Sequence, residues 1–240
     1  MAKILVTGGC SFSDGVGSSY GTWPNHLSNI LPQWQHIMTG IGAQGNGLIS
    51  RRVIYEVSEL LKTTSAEDIL VGIMWSGPSR HDFYLEDINF PSNIDMWVEN
   101  PSNFVDQSEK NWVIVGQSWR NMFAKSYYAT FYSHIGSLIY TYEHILRVQW
   151  FLKLHNIKYF MSSYTNEVFP QDDINHVDVA HLYEQIDFDS FLPVIGEYEW
   201  CRDYSGIPYL NPYDIHPSFE QHQQFTEQVI IPFLQNKKYL

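Results

Sequence analysis

Only two cysteines, Cys10 and Cys201, occur in the 240 residues. They are too few for a disulfide framework and too far apart for a zinc-knuckle spacing, so a reducing compartment suits the chain. Basic residues are scarce as well: 14 Lys and Arg stand against 26 Asp and Glu, a net charge of −12. The mean field repels phosphate backbones and anionic headgroups, which argues against nucleic-acid and lipid-surface partners. Long apolar runs are missing. The stretch before Gly8 is too short for the core of a signal peptide and no later run approaches a membrane span, so a cytoplasmic location without a membrane partner is expected. No spacing of His, Cys and carboxylates resembles a metal site, and neither metal nor cofactor is expected. Internal repeats and low-complexity tracts are absent too.

What is present is ordinary in amount and unusual in kind. Hydrophobic residues make up 44% and charged residues 17%, values of a globular protein. The length suits one α/β domain spanning residues 1–240. Aromatics reach 16%, with 16 tyrosines and eight tryptophans, whose polar tips need partners and whose place is therefore expected at a pocket rim or an interface.

Periodicity divides the chain. Residues 3–7 read as a short buried parallel strand ended by glycine, and residues 36–39 as a second one. From Gly47 the apolar residues Leu48, Ile49, Val53, Ile54, Val57, Leu60 and Leu61 recur at three and four, the pattern of an amphipathic helix. "DILVGIMWSG" supplies a third strand, completing a right-handed βαβ crossover. Periodicity then fails over residues 78–125, which read as a long aromatic-rich insertion or lid. A helix is expected over 127–155, a fourth strand in "IKYFMSSYT", irregular structure over 166–204, a short fifth strand in "GIPYL" and a closing helix over 219–234. The alternation implies a three-layer α/β/α fold with a mostly parallel sheet of about five strands, and sites beyond the carboxyl ends of strands.

The first strand runs into "TGGCSFSDGVG", a glycine-rich turn compatible with two chemistries. A dinucleotide fingerprint needs glycines at fixed offsets, so that the backbone can approach a pyrophosphate. Ser11 stands where the next glycine belongs, and Asp14 would face the pyrophosphate with a carboxylate, so that reading loses. A nucleophile turn fits better. It places Ser11 directly after the strand at the start of a helix, where its N–H would help stabilise an oxyanion. A serine needs a histidine to take its proton, and that histidine needs an acceptor on its other nitrogen. "NPYDIHPSFEQH" offers His216 with Asp214 two residues earlier. The bland alternatives are an N-cap role for Ser11 and a turn role for His216; His222 is expected to pack or to support the helix start.

Taken in order, "GGCSFSDG", "GIGAQGNGLISRR", "DILVGIMWSGPSRHDFY" and "DIHPSFEQH" span nearly the whole chain. The set resembles the SGNH (GDSL-type) hydrolase superfamily, especially a branch often met in bacteriophage genomes. The resemblance implies a flavodoxin-like fold and ester hydrolysis through an acyl-enzyme, with Ser11 as nucleophile, His216 as base and Asp214 as its orienting acid. It also implies an oxyanion hole made of the Ser11 N–H, a glycine N–H from the second block and an asparagine amide from the third. Gly45 is the first choice for the glycine and Gly42 the competitor, while Asn46 braces the loop or contributes an amide.

Two departures qualify the match. The third block has no asparagine and offers Ser76, Gly77 or Arg80 in its place, and one missing donor costs about 10²- to 10³-fold in turnover. The acid normally stands three residues before the histidine, a position held here by Tyr213. Arg80, His81 and Asp82 form a polar cluster whose role is substrate orientation, replacement of the asparagine, or a local salt bridge. Trp97, Trp112 and Trp119 either stack on a sugar, cover an acyl pocket, or pack a lid. The expected partner is a small-molecule or carbohydrate ester, such as an O-acetyl group, with homo-oligomer or virion assembly as further options. The rival reading is a catalytically degenerate binding or structural protein of the same fold, for example in a phage particle. Transfer of the acyl group to an alcohol would use the same residues.

Overall fold

A computed structural model gives the architecture, and it describes residues 3–14, 21–84, 112–116, 122–209 and 214–240. Five parallel strands lie in the order β2-β1-β3-β6-β7: β1 (Ile4–Gly8), β2 (Gln35–Met38), β3 (Ile69–Trp75), β6 (Lys158–Ser163) and β7 (Phe191–Gly196). A separate antiparallel pair is formed by β4 (His81–Tyr84) and β5 (Trp112–Val115). The helices are α1 (Trp23–Ile30), α2 (Asn46–Leu60), α3 (Met122–Thr130), α4 (His134–Leu154), α5 (Ala180–Tyr183), α6 (Glu197–Tyr204), α7 (Phe219–Phe225) and α8 (Ile231–Asn236).

Strand β3 shows how the sheet is held. All seven of its residues are buried, as a central parallel strand requires, and alternate side chains serve the two faces. Ile69, Val71, Ile73 and Trp75 join Val53, Val57, Leu138 and Ile145 under α2 and α4. Leu70 and Met74 join Trp23, Leu27, Phe160, Phe225 and Leu234 under α1 and the closing helices. Position 72 falls on the second face by the same alternation and is glycine there, since a Cβ would lie 2.5 Å from Phe160 Cζ and 3.2 Å from Trp23 Cη2. The helix starts are capped locally: Thr22 and Asn25 form a capping box for α1, and the Ser133 hydroxyl accepts the Gly136 N–H at α4.

The structure departs from the expected elements in five places. The fifth strand is Phe191–Gly196, inside the segment expected to be irregular, whereas residues 206–209 of "GIPYL" are not a strand. Pro193 interrupts the apolar run, yet β7 is the sheet edge, where a missing N–H leaves no ladder bond unmade. The helix expected over 127–155 is two helices, α3 and α4, separated at residues 131–133. Part of the insertion is ordered as the β4/β5 pair, while residues 85–111 and 117–121, with Trp97 and Trp119, lie outside the described residues. After Ser11 there is one helical turn, in which Ser13 and Asp14 donate to the Cys10 carbonyl. The closing helix runs continuously from α7 to α8 through a wider π turn at Thr226–Ile230, which ends two positions before Pro232.

Candidate active site

The turn after β1 is fixed on every side except one. Gly9 permits it, since a Cβ there would fall 2.1 Å from Ser13 Oγ and 2.9 Å from the Met74 carbonyl oxygen. The Ser13 hydroxyl accepts the Trp23 indole N–H at 3.0 Å and the Ser13 carbonyl accepts the Thr22 hydroxyl at 2.9 Å. Cys10, Phe12, Ser13 and Asp14 are buried, and Ser11 alone is partly exposed. The Ser11 N–H has no acceptor among the described residues, as befits the start of a helical turn.

At the other end of the chain, residues 214–218 precede α7, whose N-terminus is closed by a capping box between Ser218 and Gln221. Oδ1 of Asp214 accepts both the backbone N–H of His216 at 3.0 Å and its ring Nδ1 at 2.6 Å. The two-residue spacing therefore works as a local turn in which the carboxylate folds back over its own loop. These bonds hold the Asp214 carboxyl below the usual range, the backbone bond contributing most. With Nδ1–H given to Asp214, His216 Nε2 presents its lone pair to the Ser11 hydroxyl at 2.7 Å. The structure thus brings together Ser11, His216 and Asp214, three groups expected together from sequence, in the order hydroxyl, imidazole and carboxylate.

The second block is positioned differently from an open oxyanion hole. The Gly42 N–H donates to Asp14 Oδ2 at 2.7 Å, and the Gly45 N–H donates to Asp82 Oδ1 at 2.8 Å. Asp82 also takes the Leu48 N–H at 2.9 Å, so its carboxylate closes the N-terminus of α2. Its pKa is nevertheless raised to about 6, because burial outweighs those bonds and the nearby Arg80 charge. Asn46 is a brace: its amide donates to the Ser76 carbonyl and to Thr141 Oγ1, and its oxygen accepts the Ser76 N–H at 2.8 Å.

Beyond β3, the expected polar cluster separates. Arg80 donates to the buried Ser76 hydroxyl at 3.1 Å and lies 5.2 Å over the Tyr164 ring. Tyr164 touches Phe12 at 4.9 Å, and Phe12 touches the His216 ring at 5.0 Å. His81 turns away among Tyr127, Tyr140 and Phe83, and burial lowers its pKa. Trp112 faces Tyr84 and carries Arg51 over its ring.

One pair escaped the sequence reading. Glu197 and His222 meet at 2.7 Å with side chains 0% and 4% exposed, and His222 touches Phe12 edge-on at 6.4 Å. Glu197 gave no signal because it lies in the segment read as irregular; in the structure it opens α6. A cleft of about 650 Å³ between Asn166, Phe169, Glu199, Trp200 and Tyr204 includes none of Ser11, His216 and Asp214. Among the described residues no group of three or more His, Cys, Asp or Glu is arranged to hold a metal ion. No helix among them is long and apolar enough to cross a membrane.

No protein-family model and no curated protein matches the chain. Among solved structures, TesA matches with a TM-score of 0.52 at 12% identity, covering 99% of this chain and 100% of TesA. A candidate lipolytic protein of the G-D-S-L family from Desulfitobacterium hafniense DCB-2 matches at 0.47 and 13% identity, covering 99% of each chain. A candidate GDSL-like lipase from Parabacteroides merdae ATCC 43184 matches at 0.37 and 10% identity, covering 100% of this chain and 97% of the other. The likeness to TesA runs the length of both chains and is one of fold, a mostly parallel five-stranded sheet flanked by helices.

Proposed function

We propose that the protein is a serine hydrolase that cleaves ester bonds through an acyl-enzyme. The observation that carries this reading is the contact of 2.7 Å between His216 Nε2 and Ser11 Oγ, in a chain whose other imidazole nitrogen is held by Asp214 at 2.6 Å. Ser11 Oγ attacks the carbonyl carbon while its proton passes to His216 Nε2. The tetrahedral intermediate collapses, the ester C–O bond breaks, and His216 returns the proton to the departing alcohol. Water then attacks the acyl carbon by the same route, releasing the acid and restoring the Ser11 hydroxyl. The Ser11 N–H is the oxyanion donor, uncommitted among the described residues, whereas the Gly45 N–H is given to Asp82. Short esters or O-acetyl groups, including those on carbohydrate, suit this chemistry by analogy of fold.

A second reading has its own support. With the Gly42 and Gly45 N–H groups given to carboxylates and no asparagine after β3, the hole is poorly furnished, as in a binding or structural protein descended from an enzyme. Hydrolysis of chromogenic acetate and butyrate esters by wild type and by Ser11→Ala separates the two. The enzyme reading expects turnover that falls at least about 10³-fold in the variant. Turnover that survives the substitution, or none in wild type, overturns it; product analysis with an added alcohol distinguishes transfer from hydrolysis.

A further inference from the structure

The Arg80 guanidinium is a charged group at the site to which the ester-cleavage scheme gives no work. Of its five N–H donors, one is engaged, by Ser76 Oγ; the others find no acceptor among the described residues. Other arginines are employed differently: Arg202 pairs with Asp203, and Arg52 donates to the Thr39 carbonyl. Asp82, a carboxylate whose ionised form the Arg80 charge favours, is already committed to the Gly45 and Leu48 N–H groups.

Arg80 is also held where it can meet a substrate bound at Ser11. Gly8 and Ile73 are register partners in β1 and β3, and Ser11 and Ser76 each stand three residues further on, so both emerge at the same carboxyl edge of adjacent strands. The Ser76 hydroxyl tethers the guanidinium from below, and the Tyr164 ring supports its face at 5.2 Å. Tyr164 leads through Phe12 to the His216 ring, a continuous wall from the base to the cation. Tethered at one nitrogen and backed by a ring, the fork has lost much of its rotamer freedom and keeps its remaining donors for a ligand. A planar fork of N–H donors matches a carboxylate in two parallel bonds.

We propose that the substrate of this site is an anionic ester whose acyl chain ends in a carboxylate, and that Arg80 is the residue that selects it. The inference rests on the hydrolase reading and deepens it. In a chain of net charge −12 the surroundings repel such a substrate, so discrimination falls to a local cation with donors to spare, which Arg80 is among the described residues.

The test compares monomethyl glutarate with dimethyl glutarate, following acid release, in wild type, Arg80→Gln and Arg80→Lys, with melting curves to verify folding. The expected result is that the ratio of the two kcat/KM values falls roughly ten- to a hundredfold in Arg80→Gln, with Arg80→Lys in between. A ratio that stays within about twofold of wild type overturns the proposal, because an arginine serving only the oxyanion or the fold affects both esters alike. If Arg80→Gln does not fold, Arg80→Lys decides: a ratio unchanged from wild type overturns the inference and a reduced one supports it. Should no ester be hydrolysed in a Ser11-dependent manner, the hydrolase reading fails separately. Calorimetric titration of glutarate into Ser11→Ala then still tests the anion seat, against Ser11→Ala carrying Arg80→Gln or, where that pair does not fold, Arg80→Lys. Binding weakened at least tenfold by the change at Arg80 supports it, and absent or unchanged binding refutes it.

Discussion

Asp82 accepts the N–H of Gly45 at 2.8 Å, in a chain where that N–H was the leading choice for the oxyanion hole. The carboxylate reaches Gly45 because nothing larger than a hydrogen fits there: a Cβ would lie 2.7 Å from Asp82 Oδ2 and 2.8 Å from the Arg80 carbonyl oxygen. Glycine at this position is demanded by the close approach of β4, whatever its part in chemistry.

The protonation of Asp82 links this contact to stability. Its pKa is raised from 3.8 to about 6 in the fold, so between those values the folded chain holds a proton that the unfolded chain has released. Stability from this group is full below about pH 4 and is lost as the pH rises through about 6. Urea unfolding of wild type against Asp82→Asn should show the wild-type advantage shrinking across that window, by at most about 1.4 kcal/mol per pH unit. A difference that is flat with pH would mean that Asp82 titrates as it does in water.

Asp214 is exposed enough for water to screen its charge, with 56% of its side chain accessible. Asp214→Ala should therefore lower kcat/KM by roughly 10- to 10²-fold, less than the loss from Ser11→Ala or His216→Ala and less than removal of a buried triad acid. Because its pKa is lowered, its hold on His216 is fully present above about pH 4 and is lost only as the pH falls further, through that lowered pKa. Steady-state kinetics of the three variants, measured side by side, give the ranking.

Glu197 and His222 predict a different pattern, since both are enclosed. Glu197→Ala leaves a buried imidazole unpaired and should destabilise the fold by about 3–5 kcal/mol in denaturant titration, whereas Glu197→Gln keeps an acceptor and loses less. The joint replacement Glu197→Leu with His222→Phe should recover most of the loss, because a packed apolar pair needs no partner.

Two glycines separate fold from site. Gly72→Ala sets a methyl 2.5 Å from Phe160 Cζ in the core, and should lower stability by about 1–3 kcal/mol while the Ser11–His216–Asp214 contacts keep their geometry. Gly9→Ala sets one 2.1 Å from Ser13 Oγ and should displace the turn that carries Ser11, so ester turnover falls well beyond what the change in melting temperature explains.

Much of this was written in local pattern. The β-branched run of β1, the three-four spacing of α2 and the wholly apolar β3 are signals that tertiary packing only had to accept. Ser11, His216 and Asp214 were legible because each stands beside a turn signal: glycines before the serine, proline after the histidine. The irregular spacing of Asp214 was settled by geometry that no periodicity contains, a carboxylate curling back on its own loop. Strand β7 was hidden because Pro193 mimics a breaker and edge position is a property of the whole sheet. The same holds for the bonds from Asp14 to Gly42 and from Asp82 to Gly45, which link residues 28 and 37 positions apart.

The hydroxyl of Ser11 and the imidazole of His216 are separated by 205 positions of chain. During synthesis the first emerges well before the second, and it stays an ordinary alcohol until the stretch bearing the second has followed and docked against Phe12. Any nascent or truncated product lacking that stretch would display the serine without a proton acceptor, so assembly of the pair doubles as a built-in proof that the intervening sheet has been completed.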